Sequence, residues 1–155
     1  MDWPRIDEHS KSMPYIKLNV SGEPQMTAPA SYSTQTLADA VGHDFGPSDP
    51  FEITQEMINN IADVTGDHQW IHVDVEKATK FGPFGGPVAH GFLTLSLLAA
   101  ATESSGVVPP DAKAVLNYCS GKVRFLAPVL AGSSVRSNFK LVGVLRRGAG
   151  AAICA

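Results

Sequence analysis

The sequence predicts an α+β fold, with a buried helix lying against one face of an antiparallel sheet. Three observations carry this expectation. Residues 54–66 show the spacing of a capped amphipathic helix, and residues 88–102 are apolar almost all round. From Ala114 onward the apolar positions alternate with period two, as a half-buried strand requires.

Taken in order, residues 1–30 carry prolines at 4, 14, 24 and 29 without sustained periodicity, which predicts a poorly ordered extension before a domain spanning residues 31–155. Met26 is a natural start, which would make the first 25 residues an upstream extension of the reading frame. Gln35 to Val41 predict a short helix stopped at Gly42, and Phe51-Glu52-Ile53 a short strand. Thr54 is a fitting N-cap for a helix whose apolar face is Met57, Ile58, Ile61 and Ala62, with Gly66 as its stop. That stop hands Asp67 to His72 to a loop. Residues 74–80 suit a short helical turn begun by Asp74. The run Phe81-Gly82-Pro83-Phe84-Gly85-Gly86-Pro87 fits no regular element. It leads into Val88 to Thr102, whose composition is that of a buried helix. Gly106, Pro109 and Pro110 end it. Val115, Tyr118, Val123 and Phe125 predict a strand with an irregularity at Ser120-Gly121. A second strand is expected over Val135 to Leu145, and a third begins at Ala151.

Composition removes several classes of function. A formal charge of -3, with no Lys/Arg cluster denser than Arg146-Arg147, argues against a nucleic-acid binder. Cys119 and Cys154 make neither a disulfide framework nor a metal-ligand spacing, and Cys119, in an apolar-rich strand, reads as buried and inert. Residues 1–21 lack the apolar core of a secretory signal, and no 18-residue apolar run exists. The expectation is a soluble, cytoplasmic protein without a membrane partner.

The chemistry-bearing residues lie in two stretches. In Gly66-Asp67-His68-Gln69-Trp70-Ile71-His72, a carboxylate and an imidazole stand five apart in a segment read as loop. Such a pair can hold one water between them, one group taking its proton while the other serves a substrate carbon. Spacing alone favours the plainer reading, with Asp67 as a turn cap and His72 as a surface or satisfied histidine. In Gly86-Pro87-Val88-Ala89-His90-Gly91, the free N–H groups at the start of the buried helix suit a thioester oxygen that becomes enolate-like. Gly91 would leave room for that carbonyl, or simply allow helix and sheet to pack closely. His90 suits a loop-holding hydrogen bond better than a base. Zinc on His68 and His72 lacks helical context and a third ligand, and Gly82 to Gly86 lacks the Lys-Ser/Thr pair of a phosphate loop. No metal is expected.

Three blocks together closely resemble the MaoC-like dehydratases, the (R)-specific enoyl-CoA hydratases, in the branch that includes nodulation protein N-like proteins. They are residues 65–74 (Thr-Gly-Asp-His-Gln-Trp-Ile-His-Val-Asp), residues 84–97 (Phe-Gly-Gly-Pro-Val-Ala-His-Gly-Phe-Leu-Thr-Leu-Ser-Leu) and residues 122–129 (Lys-Val-Arg-Phe-Leu-Ala-Pro-Val). The resemblance runs from about Leu37 to the C-terminus. It implies a hot dog fold, an antiparallel sheet wrapped around one long central helix, usually dimerising through the sheets. It implies reversible hydration of a trans-2-enoyl-CoA or acyl-carrier thioester to the (R)-3-hydroxyacyl product, without metal or redox cofactor. By position it places the catalytic aspartate on Asp67, the catalytic histidine on His72 and the oxyanion donor on the Gly91 N–H. His90 and Gln69 fall beside them as substrate-side residues.

The family's commonest motif is Gly-Asp-x-Asn-Pro-x-His. Here Gln69 and Trp70 replace Asn and Pro, and Gln69 keeps an amide able to brace the loop. Relatives continue for roughly two dozen residues past the position of Ala155, so the resemblance implies that the last strand or strands are missing. An unpaired sheet edge is the expected result. Two other readings are a hot dog thioesterase, disfavoured because the matched blocks contain no nucleophile, and a non-catalytic partner subunit of a heterodimeric dehydratase. Keeping both Asp67 and His72 disfavours the latter.

Overall fold

The computed structural model describes residues 28–117, 120–147 and 150–154. Residues 1–27 of the expected N-terminal extension, the Met26 start, and the readings of Tyr118 and Cys119 lie outside these residues. A 3-10 turn (Leu37–Ala40) stands where a short helix was expected, and Gly42 follows it with φ 94. Then come strands β1 (Asp44–Pro47) and β2 (Phe51–Glu52) and helices α1 (Gln55–Thr65), α2 (Trp70–Val73) and α3 (Val75–Phe81). Helices α4 (Gly91–Ser96) and α5 (Leu98–Ser104) precede strands β3 (Ser134–Val135), β4 (Asn138–Lys140), β5 (Gly143–Arg147) and β6 (Gly150–Cys154).

The strands pair antiparallel as β1 with β4, β2 with β3, and β5 with β6. Main-chain bonds outside the strands link the first two pairs. Gly42 donates to Leu141 (2.7 Å), Ser48 to Ser137 (2.7 Å) and Ile53 to Ser133 (2.8 Å). Residues 42–53 and 132–141 therefore form one interrupted ribbon. Pro47 and Pro50 supply no N–H to it, which accounts for its short strands. The expected strand over residues 135–145 is accordingly split, with β5 turning away to pair with β6.

Helix α1 forms as the sequence expects. The Thr54 side chain accepts from the Met57 N–H (3.2 Å), and Gly66 closes the helix at φ 77 while donating to the Ala62 carbonyl. Ile58 and Ala62 are fully buried on the predicted face. They pack with Ile53, Ala89, Leu93 and Val135, forming a core directly beneath residues 88–93. A second core joins Tyr32, Leu37 and Phe45 to Ala101 and Leu141. Asp74 caps α3 by accepting from the Lys77 N–H, as expected.

Two expectations need correction. The central helix begins at Gly91 rather than Val88 and bends at Leu97, although i→i−4 bonds from Leu97 to Leu93 and from Ala101 to Leu97 carry it across the bend. One side of it is open, with Phe92 72% exposed. The strand expected over residues 115–125 is irregular and mostly exposed in its described residues. Alternation decides which face a strand would bury, but a strand forms only where a partner satisfies its backbone. Among the described residues no strand pairs with this run.

Candidate active site

The site is built by three segments that meet: the end of α1, the one-turn helix α2, and residues 87–91 leading into α4. Asp67 follows the left-handed Gly66, a conformation that needs no Cβ and swings the chain off the helix axis. The Asp67 carboxylate accepts from the Gln69 N–H (3.3 Å), an Asx turn that shapes the loop. Gln69 is extended (φ −57, ψ 134), and its carbonyl accepts from the N–H groups of His72 and Val73. Those bonds wind residues 70–73 into helix, so His72 lies on a helical turn and not in the expected loop. The bracing assigned to the Gln69 amide is thus exercised by its main chain.

His72 is 8% exposed, and its Nδ1 lies 2.6 Å from the Val88 carbonyl oxygen. A carbonyl only accepts, so Nδ1 carries the proton and the neutral ring keeps its lone pair on Nε2. Val88 also donates its own N–H to the Ile71 carbonyl (3.0 Å). It therefore grips both the backbone and the side chain of the histidine turn. Val88 is fixed in turn by its bridge to Leu130 and by the bond from Ala89 N–H to Val129.

His90, 6% exposed, caps the start of α4, and its ring stacks on His72 at 3.8 Å with the planes 26° apart. Its Nε2–H donates to the Asp67 main-chain carbonyl (2.9 Å) and lies 3.9 Å from the Asp67 carboxylate. The loop-holding hydrogen bond expected of His90 is present. Its Nδ1 is buried without a hydrogen-bond partner among the described residues. The side chain of Asp67 remains 55% exposed.

Asp67, His72 and His90 each place one ligand-capable atom within 4.8 Å of the others. In that sense they could hold a metal ion. However, His90 Nε2 already gives its proton to a carbonyl, while His72 Nε2 and the Asp67 oxygen not bonded to Gln69 have no hydrogen-bond partner among the described residues. Ligand atoms no more than 4.8 Å apart can share one bridging water through two hydrogen bonds of about 2.8 Å.

His68 lies apart from this group. It pairs with Asp63 at 2.9 Å on the surface, and the hydrogen bond it donates to that carboxylate raises its pKa.

Gly91 opens α4, where its N–H has no intrahelical acceptor. A Cβ there would stand 3.0 Å from three atoms of the Phe125 ring. The absence of a side chain at Gly91 thus lets the Phe125 ring pack close against the start of α4. A Gly91→Ala variant is expected to lose about tenfold in kcat/KM, about 1.4 kcal/mol. Its stability should stay within about 1 kcal/mol of wild type, because alanine's better helix propensity offsets the displacement of a half-exposed ring. Steady-state rates and thermal melts of the same preparation check both parts.

Two contributors escaped sequence reasoning. They are Val88, and Gln55 at the start of α1, whose Nε2 donates to the His72 carbonyl (2.8 Å). A capped helix start is readable from sequence, but its contact seventeen residues away is not.

Residues 36–152 match the MaoC like domain family. The chain is 52% identical over 112 residues to 3-hydroxyacyl-thioester dehydratase Z of Mycobacterium tuberculosis H37Rv, covering 72% of this chain and 73% of that protein. It is 44% identical over 117 residues to nodulation protein N of Rhizobium leguminosarum bv. viciae, covering 74% and 73%. Among solved structures it is similar to a monoamine oxidase regulatory protein from Archaeoglobus fulgidus, with TM-score 0.58 and 28% identity over 70% of this chain and 71% of that one. The fold is the hot dog arrangement of antiparallel strands and a long central helix.

Proposed function

The chain belongs to the MaoC-like domain family and is an enzyme of the hydro-lyase class, and from that premise we propose that Asp67 and His72 add water reversibly to a trans-2-enoyl thioester. The product is the (R)-3-hydroxyacyl thioester, carried on CoA or an acyl-carrier arm. The observation carrying this reading is the pair itself: an accessible carboxylate close to a buried imidazole whose tautomer leaves Nε2 free. The dehydratase named above, which acts on 3-hydroxyacyl thioesters, supports the substrate class.

In the hydration direction His72 Nε2 takes a proton from water as the oxygen bonds to C3 of the enoyl group. The C2–C3 π electrons move toward the thioester oxygen, and the Gly91 N–H at the head of α4 stabilises the charge that develops there. Asp67, carrying a proton for this step, delivers it to C2, and passage of the His72 proton to the Asp67 carboxylate through a following water resets the pair; dehydration runs these transfers in reverse. His90 holds the Asp67 loop and supports the His72 ring during these transfers.

The assembly expected is a homodimer. Its support is the apolar surface left open at Phe92, Val115, Leu116 and Phe125, which a second copy would cover. No helix among the described residues is long and apolar enough to cross a membrane.

Purified protein mixed with crotonyl-CoA is expected to lose the enoyl absorbance and to yield (R)-3-hydroxybutyryl-CoA by chiral analysis. Release of free CoA thiol without hydration would instead identify a thioesterase and contradict the reading.

A further inference from the structure

We infer that Gln55 is a positioning residue for the proposed base His72, acting through the main chain of the helical turn that carries it; this rests on the reading of His72 as the base. Gln55 is the first residue of α1, and its Nε2 faces two acceptors, the His72 carbonyl at 2.8 Å and Asn59 Oδ1 at 2.9 Å. Turning the amide over would set an oxygen against the His72 carbonyl, so the orientation is determined by the network. The cost of this orientation is visible on the other side of the amide. Oε1 is buried without a hydrogen-bond partner among the described residues, a destabilising arrangement.

What the amide holds explains why that cost is tolerated. Helix α2 is four residues long, too short to satisfy its own last carbonyls, and His72 lies in that last turn. Val88 fixes the turn from one side, at the Ile71 carbonyl and the His72 ring. Gln55 fixes it from the other, at the His72 carbonyl. The His72 ring is thereby set by three hydrogen bonds from two elements distant in sequence, and Gln55 is the one that ties it to the rigid helix α1. The small size of the proton-transfer gap makes that setting matter, because catalytic groups act only within hydrogen-bond reach of the reacting atoms.

Two variants test this. Gln55→Leu removes the donor without adding charge. Gln55→Glu also removes it and sets a carboxylate oxygen against the His72 carbonyl. Both are expected to lower kcat for crotonyl-CoA hydration about tenfold, with KM changed by less than about twofold. Gln55→Leu, which also removes the unpartnered Oε1, should melt close to the wild-type temperature, and Gln55→Glu below it. The imidazole nitrogen resonances of His72, recorded without substrate, should move in both variants while those of surface His68 stay in place. Wild-type kcat in both variants, or a fall in kcat with unmoved His72 resonances, would overturn the assignment. If the wild type hydrates no enoyl thioester, the proposed reaction fails, and the resonances still decide whether Gln55 sets the His72 ring.

Discussion

Replacing His72 by Gln is expected to lower kcat for enoyl-thioester hydration by about 10²–10⁴-fold, the range measured when a general base is lost. Glutamine is a demanding choice of replacement. Its amide can still donate to the Val88 carbonyl as Nδ1 does at 2.6 Å, so the anchor is kept. What disappears is the Nε2 lone pair, because an amide nitrogen is not basic. KM should change little, since the ring is 8% exposed and stacked on His90, and its free nitrogen serves the water more than the thioester. Stopped assays at saturating crotonyl-CoA give kcat, and the far-ultraviolet spectrum shows whether the fold persists. A stability loss of about 1 kcal/mol is expected from breaking the histidine stack, too small to account for a hundredfold loss of rate.

Asp67→Asn is expected to lower kcat by about 10²-fold or more with no loss of stability. Asparagine keeps an oxygen for the Gln69 N–H, so the Asx turn remains, and Asn tolerates the loop conformation as well as Asp. The His90 bond to this residue goes to the main-chain carbonyl and is untouched by the substitution. Only the carboxylate's charge and its ability to exchange a proton are removed. With the side chain 55% exposed, melting temperatures of variant and wild type should coincide within the effect of a surface substitution, about 0.5 kcal/mol. A matching fall in kcat and kcat/KM would place the lost interaction in the transition state and not in substrate binding.

How far the sequence reaches is decided by range. Thr54 as cap, the face of Ile58 and Ala62, Gly66 as stop and Asp74 as the next cap are all local, and each is found in place. Asp67 and His72 were singled out by spacing and made specific by three matched blocks. Their supports were not visible, because Gln55 and Val88 reach the histidine turn from 17 and 16 residues away. The helical turn at His72 was missed because it depends on two bonds to the Gln69 carbonyl and not on any propensity of Trp-Ile-His-Val. The strand expected over residues 115–125 fails for a related reason. Alternation records a face, while pairing depends on a neighbour that the sequence of the run itself does not specify.

The central claim is that Asp67 and His72 act as one unit on one water. The most direct measurement is the rate of crotonyl-CoA hydration by the Asp67→Asn/His72→Gln double variant, set beside both single variants and verified as folded. Residues acting as a unit are non-additive, so the double variant should be no slower than about the slower single, with all three at least about a hundredfold below wild type. A folded double variant that hydrates crotonyl-CoA at close to the wild-type rate would contradict the account.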